Sequence, residues 1–251
     1  MTDAVEERAR VLVGAAIRTL EPRAPTAAAL AWRGEKLIAV GSRDEVLRIA
    51  GAGADVVDAG GATVVPGLID AHHHASIGAL YVGRVPLTPP DVVDVATMQR
   101  KLRRAADGLP AGAWLVASGW DEAMLRERRA PTRQELDAAV PDRPVFAMHY
   151  TCHRAVVNGR ALDLAGIGRV TPDPCGGAIS RGRRGEPDGV LIERAMGGAE
   201  SLARASLIAR DAESYVARLA AHHDALLAAG ITRVVDTAVT PDLMLLYRED
   251  S

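Results

Sequence analysis

The stretch TVVPGLIDAHHHAS, residues 63–76, determines which fold the sequence predicts. It begins with β-branched and apolar residues, passes a Pro-Gly break and ends in Asp70, Ala71 and three consecutive histidines. Because side chains alternate between the faces of a strand, Asp70, His72 and His74 share one face. Two imidazoles on one face of an apolar strand are suited to hold one divalent metal ion. The stretch therefore predicts a metal-binding strand end at His72 and His74, with a solvated histidine run as the alternative.

The rest of the chain alternates between strand-like and helix-like segments. The strand-like runs are WLVASGW, PVFAMHY and ITRVVDT, at residues 114–120, 144–150 and 231–237. Helical segments are predicted over residues 97–106, 131–140 and 201–229. Residues 76–96 lack a clean period and contain three prolines, which predicts a loop. This repeating order of strand and helix predicts an α/β fold with helices packed on a parallel sheet.

Metal ligands at the carboxyl end of the first strand of such a sheet predict a (β/α)₈ barrel. Only about four barrel strands are visible in the sequence. A complete barrel alone takes about 250 residues, and here the first 62 residues belong to another segment. We therefore predict a partial (β/α)₈ TIM-type barrel over residues 63–251. Residues 1–62 hold several short strands with glycine turns, which predicts a small N-terminal β-sandwich segment.

Composition limits the partners and the compartment. The chain of 251 residues has a net charge of −2, so long-range attraction to nucleic acid or to an anionic membrane is not expected. Cys152 and Cys175 are too few for a disulfide framework, which favours a reducing compartment. The N-terminus MTDAVEERAR lacks a signal-peptide pattern, and the apolar run after it is too short to span a membrane. These features together predict a cytoplasmic protein.

Five stretches of the chain resemble amidohydrolase family 3 of the amidohydrolase superfamily, a group similar to N-substituted formamide deformylases. Residues 66–74, PGLIDAHHH, resemble the Asp-x-His-x-His signature that closes the first barrel strand of this superfamily. The other matching segments are Gly-Trp-Asp within 117–122, Pro-Thr-Arg-x-x-Leu-Asp and His-x-x-x-x-Asn-x-x-Ala-Leu within 131–167, Thr-Pro-Asp-Pro and Gly-x-x-x-Gly-Val-Leu-x-Glu within 171–193, and the strand GITRVVD at 230–236.

This resemblance implies a metal-dependent hydrolase that acts on carbon–nitrogen bonds other than peptide bonds, with a small amide or formamide as substrate. It implies a divalent metal ion, Zn²⁺ above all, held by His72 and His74 and activating a water molecule. A carboxylated lysine near the fourth strand is excluded within this chain, because Lys36 and Lys101 are the only lysines. Asp236, at the end of that strand, is the candidate bridging and catalytic residue. Its alternative is a structural aspartate that caps the next turn.

Other site residues follow from the resemblance and from their positions. His153 lies where the family has a histidine past its third strand, and we predict that His153 and Trp120 line the substrate pocket. The alternatives are a loop histidine bonded to the backbone and an aromatic that packs in the core. His149 is predicted to be a satisfied core residue, and His73 a structural residue facing the helices. Glu193 is predicted to be a carboxylate at a helix start.

Two other hypotheses remain open. The family's ligands from later barrel strands have no counterpart in this sequence. The first of these hypotheses is therefore a catalytically incompetent truncated half-barrel, or a fragment that needs a second chain. A half-barrel exposes unpaired strand edges, which predicts a homo-oligomer or a complementing C-terminal half as partner. A further hypothesis keeps the fold and changes the reaction to deamination of a ring amine.

Overall fold

The computed structural model describes residues 8–81 and 84–249. Residues 1–7 lie outside the described residues. They belong to the N-terminal stretch for which we predict no signal peptide. Contacts divide the chain into two compact units. One unit comprises the described residues up to Asp70 together with Ala229–Val234, and the other comprises Ala71–Ala228 and the described residues from Val235 onward. The domains predicted at 1–62 and 63–251 stay a prediction.

The first unit consists of short strands and one helix, as its glycine-punctuated sequence predicts. The elements are β1 (Arg10–Val13), β2 (Ala16–Arg18), β3 (Thr26–Ala27), β4 (Ala29–Arg33), β5 (Lys36–Gly41), α1 (Arg43–Ala50), β6 (Asp55–Asp58) and β7 (Thr63–Val64). The strands form a four-stranded sheet, β5-β4-β1-β6, and a three-stranded sheet, β3-β2-β7. Helix α1 packs on the four-stranded sheet through Val46 and Ala50, which join a core cluster with Val11 and Ala31.

The remaining elements carry the candidate site. They are β8 (Leu68–His73), α2 (Ala75–Tyr81), β9 (Val85–Pro86), α3 (Val95–Asp107), β10 (Leu115–Trp120), α4 (Arg133–Ala139), β11 (Val145–His149), β12 (Arg154–Val157), α5 (Gly159–Leu164), β13 (Gly177–Arg181), β14 (Pro187–Glu193), a 3₁₀ turn (Arg194–Met196), α6 (Gly197–Ala228), β15 (Ile231–Asp236) and α7 (Pro241–Glu249). Helix α6 is interrupted at Asp211, which has non-helical φ and ψ. None of the described helices combines the length and apolar composition that a membrane crossing requires.

The centre of the second unit is a six-stranded sheet in the order β13-β14-β12-β11-β10-β9. Strands β9, β10 and β11 run parallel, whereas β12, β14 and β13 are added antiparallel. Alternate residues of β11 belong to two separate core clusters, Val145 and Ala147 to one and Phe146 and Met148 to the other. The sheet is therefore buried on both faces, which explains why β10 and β11 are nearly continuous apolar runs.

The structure confirms the predicted strands as β8, β10, β11 and β15, and the predicted helices as α3, α4 and α6. Two segments differ from the prediction. Helix α2 occupies part of the predicted loop, and its first turn is held by a contact that is distant in sequence: the backbone N–H of Ser76 donates to Asp236, 160 residues later in the chain. The long connection before α6 contains β12, β13 and β14, so the sheet is mixed rather than parallel. The architecture is α/β, while the partial barrel and the β-sandwich stay predictions.

Asn158 connects β11 to the start of α5. Its side chain is fully buried and bonds four backbone groups. Oδ1 accepts the N–H groups of Val145 at 2.9 Å and Ala161 at 3.1 Å. Nδ2 donates to the carbonyl oxygens of Val140 at 3.1 Å and Arg143 at 2.9 Å. The asparagine of the His-x-x-x-x-Asn segment thus has a structural role.

We expect Asn158→Ala to lower the free energy of unfolding by about 2–3 kcal/mol, because buried backbone groups lose their partner. Urea denaturation measures this loss. Asn158→Asp is the matched variant: it keeps the volume but cannot donate, so it should be at least as destabilising. A loss below about 0.5 kcal/mol, the range of ordinary surface substitutions, would contradict this assignment.

Candidate functional site

The two predicted metal ligands lie next to each other at the end of β8. The ring centroids of His72 and His74 are 5.1 Å apart, with the ring planes at 86°. Both side chains are exposed. The alternation predicted from the sequence therefore places the two imidazoles side by side on one face. Their assignment as metal ligands stays a prediction.

Thr237, directly after β15, determines the tautomer of His74. The backbone N–H and the hydroxyl of Thr237 both donate to the carbonyl oxygen of His73, at 2.9 and 3.1 Å. The carbonyl oxygen and the hydroxyl oxygen of Thr237 each lie 3.2 Å from Nδ1 of His74. Since the hydroxyl proton is already used, both oxygens act as acceptors toward His74. Nδ1 therefore carries the hydrogen, and in the neutral ring the lone pair that could coordinate a metal ion lies on Nε2.

Asp236 makes structural contacts and has one oxygen without a partner. Its Oδ2 accepts the backbone N–H of Ser76 at 2.8 Å and the hydroxyl of Tyr247 at 2.6 Å. Burial and the hydrogen bond to Asp236 raise the pKa of Tyr247, so this hydroxyl stays a donor. Oδ1 is buried and has no hydrogen-bond partner among the described residues. These contacts match the structural alternative, and the bridging and catalytic role of Asp236 stays a prediction.

These residues fit a divalent cation by their chemistry. Two neighbouring imidazoles and a buried carboxylate oxygen without a partner are the nitrogen and oxygen donors that zinc accepts. They do not form a closed cluster, however. Within residues 8–81 and 84–249, the group of three acidic or histidine ligand atoms that lie within 4.8 Å of one another is found at Asp121, Glu122 and His149 instead.

The Asp121–Glu122–His149 cluster already contains a cation. The guanidinium of Arg154 bonds Oε1 of Glu122 and lies 3.2 Å from Nε2 of His149. The other ring nitrogen of His149 is 2.7 Å from the hydroxyl of Thr151. A metal ion here would have to displace Arg154 from Glu122. With 2% of its surface exposed and partners on both nitrogens, His149 is confirmed as a satisfied core residue.

We expect the protein to lose stability as the pH falls below about 6.5, the pKa of an unperturbed histidine. Burial, and then the charge of Arg154, lower the pKa of His149 in the folded state. The unfolded chain therefore takes up a proton first, and the loss continues until the pH reaches the folded pKa. Urea denaturation between about pH 7.5 and 5.5 measures the slope. His149→Gln should reduce the slope, and an unchanged slope would contradict this origin. Some slope should remain, because burial also lowers the pKa of His222.

Trp120 lies in the core of the second unit. Its side chain is fully buried, and its indole N–H donates to the carbonyl oxygen of Ala147 at 2.9 Å. Its ring makes an edge contact with His149, at 4.6 Å between centroids. The guanidinium carbon of Arg154 lies 5.5 Å from the ring centroid. These contacts are those of an aromatic side chain packed in the core, which is the alternative given for Trp120 above. Its role in lining the substrate pocket stays a prediction.

His153 is paired with Glu193 at the end of β14. Nδ1 of His153 lies 3.0 Å from Oε1 of Glu193, and the two side chains are 72% and 52% exposed. Glu193 stands at the start of the 3₁₀ turn, as predicted, but its carboxylate makes no capping hydrogen bond. Sequence reasoning missed this pairing because the two residues are forty positions apart and β12 and β14 are absent from the predicted strands.

His74 and His153 line the same cavity, which has a volume of about 490 Å³. One part of its wall is apolar and includes Ile77, Met148 and Leu243. Other lining residues are polar or ionisable: Thr151, Cys152, Glu200, Arg204 and Thr240. The cavity thus combines a candidate metal ligand, a carboxylate-paired histidine and an apolar surface.

Comparison with known proteins gives the chain's relatives. The model of the Amidohydrolase family matches residues 55–248. The chain is 36% identical over 238 residues to an N-substituted formamide deformylase of Arthrobacter pascens, covering 95% of this chain and 44% of that protein. It is 33% identical over 180 residues to the protein LONG AFTER FAR-RED 3 of Arabidopsis thaliana, covering 72% of this chain and 30% of that protein. The chain therefore spans less than half the length of these two curated relatives.

A solved structure with a similar fold is an uncharacterized metal-dependent hydrolase from Pyrococcus horikoshii. It matches with a TM-score of 0.63 and 23% identity, over 96% of this chain and 45% of that one. At this level of identity the likeness shows the fold.

Proposed function

This chain belongs to the amidohydrolase family, and on that premise we propose that it is a metal-dependent hydrolase of amide-type carbon–nitrogen bonds outside peptides. The observation that carries the proposal is the pair His72 and His74, with His74 held by Thr237 so that the lone pair of the neutral ring lies on Nε2. The 36% identity to an N-substituted formamide deformylase supports an amide or formamide as the substrate. A cytoplasmic location, and independence from nucleic acid and membranes, are part of the same proposal.

We propose zinc as the ion, held by His72 and His74, with Oδ1 of Asp236 as the oxygen available to it. When bound, such an ion polarises a substrate carbonyl and acidifies a water molecule. The chain's own residues supply the geometry. Thr237 orients His74, and Asp236 fixes the first turn of α2 through Ser76.

The cavity determines the substrate class that we propose. Its apolar wall, which includes Ile77, Met148 and Leu243, suits an apolar group on the amide. The polar side holds His153, whose partner is Glu193. We therefore propose that amides with a larger apolar substituent are better substrates than short ones.

The test uses the purified protein with and without zinc, and a series of N-alkylformamides of increasing chain length. Calorimetry measures zinc binding, and a colorimetric amine assay measures hydrolysis. We expect zinc-dependent amine release that a chelator stops and that increases with chain length. Adenine and cytosine serve as probes for ring-amine deamination. Absence of zinc binding, or amine release that the chelator leaves unchanged, would contradict the proposal.

A further inference from the structure

We propose that His153 and Glu193 are the acid–base pair of this site: His153 transfers the proton during amide hydrolysis, and Glu193 positions and charge-stabilises it. This inference rests on the proposed function and adds the residue that moves the proton. The feature behind it is the pairing of two side chains that lie forty positions apart in sequence, on the wall of the cavity that also contains His74.

The contact with Glu193 fixes the imidazole of His153. Nδ1 faces the carboxylate at 3.0 Å, so the hydrogen of the neutral ring lies on Nδ1. Nε2 is then the basic atom, on a residue that lines the cavity. A histidine whose Nδ1–H is held by a carboxylate is the arrangement that general-base catalysis uses in enzymes of other folds.

The backbone of Glu193 supports a functional origin of the pair. Its φ of 52° and ψ of −125° lie where glycine is favoured and other residues are strained. The surrounding chain holds it there: its N–H donates to the carbonyl oxygen of His153 at 2.9 Å. Gly177 pairs with Glu193 in the sheet, and the chain packs closely there: a Cβ atom on Gly177 would lie only 2.6 Å from the N atom of Ala195.

An exposed ion pair contributes little to stability, so the pairing of Glu193 with His153 does not offset the free-energy cost of the strained backbone. Strain of this kind concentrates at functional sites, where the surrounding structure holds a residue in an unfavourable conformation. A glutamate in place of the favoured glycine is then explained by what its carboxylate does to His153.

Two other ionisable groups on the cavity wall are less suited to the task. Besides the ligand His74 and the first-turn residue Glu200 of α6, they are Cys152 and Arg204. Burial raises the pKa of the Cys152 thiol, which keeps it protonated. Arg204 is bonded to Asp242 at 2.6 Å.

The proton balance of the reaction is simple. Hydrolysis forms one C–O bond, breaks one C–N bond, and moves one proton from water to the departing nitrogen. Nε2 of neutral His153 accepts the proton as the C–O bond forms. The imidazolium then returns this proton to nitrogen as the C–N bond breaks, which gives a carboxylic acid and an amine. Glu193 remains a carboxylate throughout and stabilises the imidazolium.

The experiment compares His153→Gln, His153→Ala, Glu193→Gln and Glu193→Gly with wild type. Zinc affinity by calorimetry should stay unchanged in all four, since neither residue is a ligand. For the His153 variants kcat should fall by about 10²–10⁴-fold with KM nearly constant. Added imidazole should restore part of the activity of His153→Ala. Glu186→Gln, on the turn between β13 and β14 and next to Arg169, is the matched control and should behave as wild type.

Two readouts do not depend on activity. Nitrogen NMR of neutral His153 should show hydrogen on Nδ1 in wild type and not in Glu193→Gly. Glu193→Gly should also unfold at a temperature no lower than wild type, because glycine relieves the strained φ.

Wild-type kcat in both His153→Gln and Glu193→Gln would overturn the pair. Loss of activity in His153→Ala that follows a loss of zinc binding and ignores imidazole would also overturn it. Failure of the wild type to bind zinc or to hydrolyse amides overturns the proposed function instead. In that case hydrogen on Nε2 of His153 in the NMR measurement still overturns the pair.

Discussion

His74→Ala is expected to weaken zinc binding by more than about 100-fold, because even the residues that only orient a metal ligand contribute about 10–100-fold. His72→Ala should have a similar effect, and the double variant should bind no zinc at micromolar concentration. Amide hydrolysis should be lost in parallel. Calorimetric titration of the metal-free protein, with circular dichroism to confirm folding, measures these effects.

Two further variants make this test specific. His149→Gln removes the histidine of the Asp121–Glu122–His149 cluster and should leave zinc affinity unchanged, because Arg154 already occupies that cluster. Zinc binding that survives the His72 and His74 changes but is lost in His149→Gln would place the metal in that cluster instead. Thr237→Val removes one of the two oxygen acceptors of the His74 ring and should weaken binding by up to about 10-fold, and Thr237→Ser should restore it.

Trp120→Ala is expected to lower the free energy of unfolding by about 3–5 kcal/mol. The indole is fully buried, so its removal leaves a void next to His149 and removes the hydrogen bond to the carbonyl oxygen of Ala147. Urea denaturation measures the loss. Trp120→Phe keeps part of the ring and should be clearly less destabilising.

The same variants separate packing from substrate binding. A packed tryptophan predicts that Trp120→Phe keeps the wild-type KM for N-alkylformamides. A large rise in KM with little loss of stability would show that Trp120 lines the pocket, as the sequence predicts.

Local signals explain which elements are predictable from the sequence. Helix α4 has a capping box in which Thr132 and Glu135 bond each other's backbone, a pattern visible within four residues. Strands β10 and β11 are buried on both faces and therefore appear as continuous apolar runs. The placement of His72 and His74 on one face follows from strand alternation alone.

Features that depend on distant residues could not be predicted in this way. In the first turn of helix α2 the N–H of Ser76 donates to Asp236 on β15, 160 residues away in the sequence. The pair of His153 and Glu193 depends on antiparallel pairing of β12 and β14, which no residue within either strand signals. The strained backbone of Glu193 is likewise a result of its tertiary surroundings.

Thr237 links the binding of a ligand at His74 to the contact between two chain segments, the end of β8 and the residues that follow β15. Its N–H and hydroxyl hold the carbonyl oxygen of His73, while its two oxygens hold His74. Separating Thr237 from His73 therefore also releases the ring that presents Nε2. A ligand that binds only while the ring is held in this orientation opposes that separation, and it does so more strongly the higher its concentration is relative to its Kd. The Thr237 amide should accordingly exchange its hydrogen with solvent more slowly in the presence of bound ligand, so this amide is a local sensor of occupancy.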